Sequence, residues 1–148
     1  MAGQGPTTKA YAQELTKAGW TVIYTCLPNA PHVGVVAIPI GASCKQHYPD
    51  ILAYREQLTK IVEVEIQLSK EVALKISERF LEINEALNRQ QAWQTLSDHI
   101  RETTHFSLPR IFVPDCELVI CKNLKPSHSA LIEELSAQGI RTLSRVTD

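Results

Sequence analysis

The chain has 148 residues, of which 44% are hydrophobic and 21% charged, and its formal net charge is −1. Length and balance of this kind make one globular domain with a buried core and exclude an extensively disordered chain. Near-neutral charge excludes nucleic-acid binding through bulk basicity, so any such contact needs a local basic patch.

Residues 1–6 read as a flexible tail and residues 7–148 as the domain. "MAGQGPTTKAYAQ" lacks the basic start and apolar run of a signal peptide, and no stretch approaches the roughly 20 apolar residues of a membrane span. Thr7 or Thr8 caps a helix that runs to about Ala18 and stops at Gly19. Its apolar stripe is Tyr11, Leu15 and Ala18. Glu14 falls within that stripe, and an acid on the buried side of a helix needs a partner or a place at the rim.

Trp20 to Leu27 is β-branched and aromatic and reads as a strand. Pro28 to Pro31 breaks it, and Val33 to Ile40 reads as a second strand. "GASCKQHY" is a loop carrying Lys45 and His47, followed by a hairpin from Tyr48 to Gln67. The strongest helix runs from Ser69 to about Asn88, with Val72, Ile76, Phe80, Ile83 and Leu87 on one apolar face. A second helical piece, Gln91 to Glu102, presents Trp93, Leu96 and Ile100. "SLPRIFVP" is irregular or a short edge strand because of its two prolines. Cys116 to Asn123 is an apolar strand, Ser127 or Ser129 opens a helix that ends at Gly139, and Ile140 to Val146 closes the chain as a strand. That last strand–helix–strand unit is a crossover, which makes its two strands parallel neighbours. The fold class is α/β, with a mixed β-sheet flanked by helices.

The four cysteines, Cys26, Cys44, Cys116 and Cys121, form no CxxC pair and no spacing of the zinc type. They read as reduced thiols packed as small apolar groups, as in a cytoplasmic protein. No Gly-rich phosphate loop, GxSxG motif or clear Cys/His pairing is present, which leaves dinucleotide and nucleophilic hydrolase chemistry without support.

The hairpin carries acids where a core-packed hairpin takes apolar residues. In "KIVEVEIQL", Val62, Val64, Ile66 and Leu68 fall on one face, and Ile61, Glu63, Glu65 and Gln67 on the other. If the turn closes around Glu56 and Gln57, Arg55 faces Leu58, Tyr54 faces Thr59, Leu52 faces Ile61, and Asp50 faces Glu63. Opposed side chains have Cβ atoms roughly 4.5–5.5 Å apart. Two carboxylates that close repel unless one is protonated or a cation sits between them, and Mg²⁺ is a natural occupant. An acidic, solvated outer face is the plain alternative.

Pro49-Asp50, a twelve-residue gap, and then Glu63-Val64-Glu65 resemble the PD-(D/E)xK nuclease superfamily of restriction-endonuclease-like fold. The context is similar too: a helix ending in "AGW", a strand before the motif, a long helix after it, and a strand–helix–strand close. The resemblance spans about Lys9 to Val146 and implies an αβββαβ(αβ) core. It implies Asp50 and Glu63 as metal ligands for Mg²⁺, with Mn²⁺ as substitute, and Glu14 as an additional catalytic acid. Glu65 stands where the family carries its lysine. It could serve as general base or further ligand, Lys70 or Lys75 on the next helix could replace the lysine, or the site could be degenerate. Lys45 and Lys70 are candidate phosphate contacts, while His47 reads first as an ordinary loop histidine.

These features imply a metal-dependent endonuclease-like protein that hydrolyses DNA phosphodiester bonds as a homodimer. A noncatalytic nucleic-acid-binding or protein-interaction module of the same fold is the alternative. An unrelated α/β interaction domain would follow if Asp50 and Glu63 pointed to opposite faces. Asp115 and Glu117 repeat a Pro-Asp pattern at a spacing too short for a hairpin. Arg141 and Arg145 share a face, in solvent or against nucleic acid.

Overall fold

A computed structural model describes residues 4–27, 38–40, 45–56, 58–105 and 114–146, apart from the side chains of residues 38–40, 45, 46, 90, 91 and 103. The elements in chain order are α1 (Gln4–Lys17), β1 (Thr21–Thr25), β2 (Ile38–Ile40), β3 (Lys45–His47), β4 (Ile51–Arg55), β5 (Leu58–Glu65), α2 (Lys70–Leu87), α3 (Gln90–Thr104), β6 (Asp115–Ile120), α4 (Ser129–Ala137) and β7 (Ile140–Ser144). A 3₁₀ turn, Pro126–His128, leads into α4.

Five strands form one sheet in the order β1-β4-β5-β6-β7, and β2-β3 form a separate ribbon. β1, β4 and β5 are antiparallel in turn, whereas β5, β6 and β7 run parallel. The sheet is therefore mixed, as the sequence predicts, and the closing crossover makes β6 and β7 parallel neighbours. The β4–β5 register is also the predicted one, with Arg55 opposite Leu58, Tyr54 opposite Thr59 and Leu52 opposite Ile61. Glu56 turns the chain with φ 49°, the left-handed conformation that a tight hairpin needs and that glycine or asparagine adopts more readily.

Both faces of the sheet are covered. Ile51, Ala53, Val62, Val64 and Val119 pack against Tyr11, Ala12 and Leu15 of α1 and against Trp20. Leu52, Tyr54, Ile61, Leu118 and Ile120 pack on the opposite side against α2, α3 and α4, around Ile76, Phe80, Ile83, Leu96, Ile100 and Leu135. Alternate residues of one strand thus enter two cores, as period 2 requires. Helix α2 starts on Ser69, whose Oγ accepts from Val72 N–H at 3.1 Å, and closes on Asn88.

Four expectations need correction. Helix α1 begins at Gln4, so Gln4 to Pro6 belong to it; a proline is tolerated in the first turn because its missing N–H would have had no partner there. Lys45–His47 are not loop but strand β3, paired with β2 through Ile38 opposite His47. The β5 face carrying Glu63 is not a solvated face: α2 and α3 cover it, and Glu63 is 4% exposed. The strand ends at Glu65, so Ile66 leaves the alternation and is exposed while Leu68 joins the core beneath α2. The predicted strand segment 33–37 and most of "SLPRIFVP" lie outside the described residues. Among the described residues no helix is long and apolar enough to cross a membrane.

Candidate functional site

The site forms where β5 ends. Register carries Asp50, just before β4, alongside Glu63, and the two carboxyl groups are hydrogen-bonded to each other. They therefore share a face, the α2 side, which removes the condition for an unrelated interaction domain. Asp50 Oδ2 also accepts from Val64 N–H at 2.8 Å. Burial first, and then the neighbouring Glu63 carboxylate, push the Asp50 carboxyl up to about 8. Burial pushes Glu63 up as well, against the opposing pull of its hydrogen bond to Asp50 and of Arg79. Two carboxyl groups this close, both pushed up by burial, share one proton near neutral pH.

The helix brings the matching cations. Residues two apart on a strand are roughly 6.6 Å apart, and residues four apart on a helix roughly 6 Å. Lys75 and Arg79 of α2 therefore meet Glu65 and Glu63 in parallel rows. Lys75 Nζ makes an ion pair with Glu65, and Arg79 Nη1 stands 3.8 Å from Glu63 Oε1. His47, placed by β3, completes the group. Arg79 Nη1 donates to His47 Nδ1 at 3.0 Å, so the ring proton sits on Nε2, which donates to Glu63 Oε1. Burial, and then the Arg79 charge, pull the His47 ring down to about 4, so the ring is neutral near pH 7 and its contact with Glu63 is a hydrogen bond rather than an ion pair.

The remaining candidates lie elsewhere. Glu14 is not on the buried stripe: it is half-exposed and held by Arg145 Nε at 3.0 Å. It belongs to α1, on the opposite face of the sheet from Glu63, and makes no contact with the acid pair. The part of α1 that reaches the site end of β5 is its first residue, Gln4, whose Nε2 donates to Val64 O at 2.9 Å. Lys70 stands nine residues from Arg79, about half a turn around the helix axis at 100° per residue. It lines a groove with Leu131 and Glu134 of α4 instead, so of the two lysines offered as replacements Lys75 is the one at the site. Lys45 is on β3, two positions before His47, and its side chain lies outside the described residues. Arg79 escaped the sequence reading, although Lys75, Arg79 and Glu82 form a polar row beside the apolar stripe of α2.

A second charged cluster occupies the other end of β5 and β6. Lys60 Nζ contacts Glu117 Oε2 at 2.7 Å and Asp115 Oδ2 at 3.1 Å, and Arg141 reaches Glu117 at 3.0 Å. Tyr11 Oη donates to Glu117 Oε1 at 2.5 Å. Every acid there has a cation, so the cluster reads as a structural tie between α1 and three strands. Arg141 and Arg145 are both spent on acids.

Asp50 and Glu63 could hold a cation between them. Mg²⁺ commonly takes one or two carboxylates from a protein and keeps several waters, which this donor pair fits. Among the described residues no group of three or more His, Cys, Asp or Glu side chains is placed to hold a metal ion, so the pair would have to rely on water for its remaining ligands.

No protein-family model matches the sequence, and no curated protein matches it. The fold is similar to that of a crystal structure of a protein of unknown function, AF1548, with TM-score 0.58 and 12% identity. The match covers 96% of this chain and 58% of that one, so this chain spans little more than half its length. At that identity the likeness speaks to the fold alone.

Proposed function

We propose that the protein is a divalent-cation-dependent phosphodiesterase of the PD-(D/E)xK type that acts on DNA, with Asp50 and Glu63 as the cation ligands. The observation that carries this reading is the buried Glu63 carboxyl beside the partly buried Asp50 carboxyl near a strand end, with Arg79 on Glu63 and Lys75 on the adjacent Glu65. Such pairs with raised proton affinity concentrate at functional sites. A cation bound there would lower the pKa of a water and neutralise charge developing on phosphate.

The chain's own residues supply the rest. Glu65, held in place by Lys75, is positioned as the base that takes a proton from the attacking water. Lys75, half-exposed at the rim, balances the charge of Glu65. Free thiols at Cys26, Cys116 and Cys121 suit a cytoplasmic setting. Cutting both strands of a duplex calls for two copies of the chain related by a twofold axis.

Incubation with supercoiled plasmid in Mg²⁺ or Mn²⁺ tests the reading. Asp50→Ala and Glu63→Ala should both fall to background, and Glu65→Gln should lose about 10²–10⁴-fold in rate. Undiminished cleavage by either alanine variant removes the assignment. A noncatalytic module of the same fold is the second reading, favoured by the partners that already engage Glu63 and Glu65. It is decided by calorimetry with Mn²⁺, in which that module shows no saturable binding.

A further inference from the structure

Arg79 occupies an unusual position for a helix cation. Its side chain is 29% exposed while that of Glu63 beneath it is 5% exposed, so the guanidinium lies on the solvent side of the acid pair. Among the described residues only its Nη1 is engaged, by His47 and Glu63, although a guanidinium carries five N–H donors in a planar fork. Lys75, one turn earlier, is by contrast committed to Glu65.

We infer that Arg79 is the phosphate-contacting residue of this site, held on Glu63 in the free protein and released when a divalent cation takes that carboxylate. The inference rests on Asp50 and Glu63 being the cation site. A guanidinium and a divalent cation on one buried carboxylate repel each other strongly at a few ångströms in a medium of low polarity. Arg79 is the partner that can move, because its stem is flexible and already reaches solvent. Once released, its fork matches two oxygens of a phosphodiester, a geometry that an ammonium group does not offer. Charge balance points the same way. Arg79 and Lys75 already match Glu63 and Glu65, so a divalent cation leaves the cluster with surplus positive charge, which a phosphodiester relieves. Cation and phosphodiester should therefore strengthen each other's binding.

Titrating Mn²⁺ into wild type and Arg79→Gln, with free Mn²⁺ followed by electron paramagnetic resonance, reads this without turnover. The variant, freed of the competing charge and still able to donate to His47, should bind Mn²⁺ about tenfold more tightly, which corresponds to about 1.4 kcal/mol. In parallel, anisotropy of a labelled duplex with and without Ca²⁺ should show cation-enhanced binding in wild type and none in Arg79→Gln. Arg79→Lys, which keeps the charge without the fork, should bind Mn²⁺ like wild type and the duplex more weakly. Mn²⁺ binding by Arg79→Gln alone would also support the inference. Equal Mn²⁺ affinity in wild type and Arg79→Gln, or full Ca²⁺-enhanced duplex binding by that variant, overturns the role of Arg79 and leaves the cation site standing. Mn²⁺ binding by neither protein overturns both.

Discussion

Asp50 and His47 titrate in opposite senses, and their opposition makes the site measurable without any substrate. An acid whose proton affinity is raised by folding binds more protons folded than unfolded, so stability falls as pH rises from its ordinary value, 3.8 for Asp50, towards the folded value of about 8. His47 does the reverse. Its folded value of about 4 lies below the ordinary 6.5, so below pH 6.5 the unfolded chain takes up the extra proton and stability rises with pH. The two trends oppose each other up to about pH 6.5, and from there to about pH 8 the carboxyl pair acts alone. Urea denaturation should therefore show wild type losing on the order of 2 kcal/mol between pH 6.5 and 8. Asp50→Asn mimics the protonated acid: it still accepts from Val64 N–H and can donate to Glu63. Its profile should be flatter over that interval; a slope equal to that of wild type would show that Asp50 is not the titrating group.

Strand β5 shows how much an element reveals in sequence and where it stops. Its pairing with β4 followed from hairpin closure and period-2 alternation alone, down to which residue faces which, because register is local arithmetic. What covers the acidic face was not local. The helices that bury Glu63 are set by packing at long range, and a strand of alternating Glu and Val reads the same whether its polar side meets water or Arg79. The same limit applies to Lys60, which looks like an ordinary strand lysine and is in fact 4% exposed beside Glu117. Glu14 failed for a related reason. Helical spacing placed it near the stripe of Tyr11 and Leu15, but the contacts of α1 centre on Thr7, Thr8, Tyr11, Ala12 and Leu15, and Glu14 lies beyond their edge. Arg79 was legible as the neighbour of Lys75 four residues on, and the spacing match to Glu63 and Glu65 was the available signal. The two charged clusters on β5 also make separable predictions. Glu117→Ala leaves Lys60 buried with Asp115 as its remaining acid and should cost about 3–5 kcal/mol of stability. The same variant should leave Mn²⁺ binding unchanged, as calorimetry on the folded protein would show; lost Mn²⁺ affinity would mean that the two ends of β5 are not independent.

At the scale of the whole molecule, the site joins side chains from consecutive but separately folded segments of the chain. His47 comes from the β2–β3 ribbon, Asp50 and Glu63 from the antiparallel half of the sheet, and Arg79 from the helix that covers it. The unfolded chain has no such site, so a cation that binds it binds the native state alone and stabilises the entire fold by mass action. At a hundredfold excess over the dissociation constant this contributes about 2.7 kcal/mol, or a rise in melting temperature of roughly 5–10 °C for a domain of this size. The size of the rise should depend on pH in a defined direction. The cation displaces the proton that Asp50 and Glu63 share, so binding is weaker at pH 6, where that proton is held firmly, than at pH 8.5, where it is largely gone. Thermal melting with and without Mn²⁺ should therefore show a larger shift at pH 8.5 than at pH 6 in wild type and no shift in Asp50→Asn. A shift of equal size at both pH values, or one that survives in Asp50→Asn, would place the ion on some other part of the surface and leave the carboxyl pair as a purely structural contact.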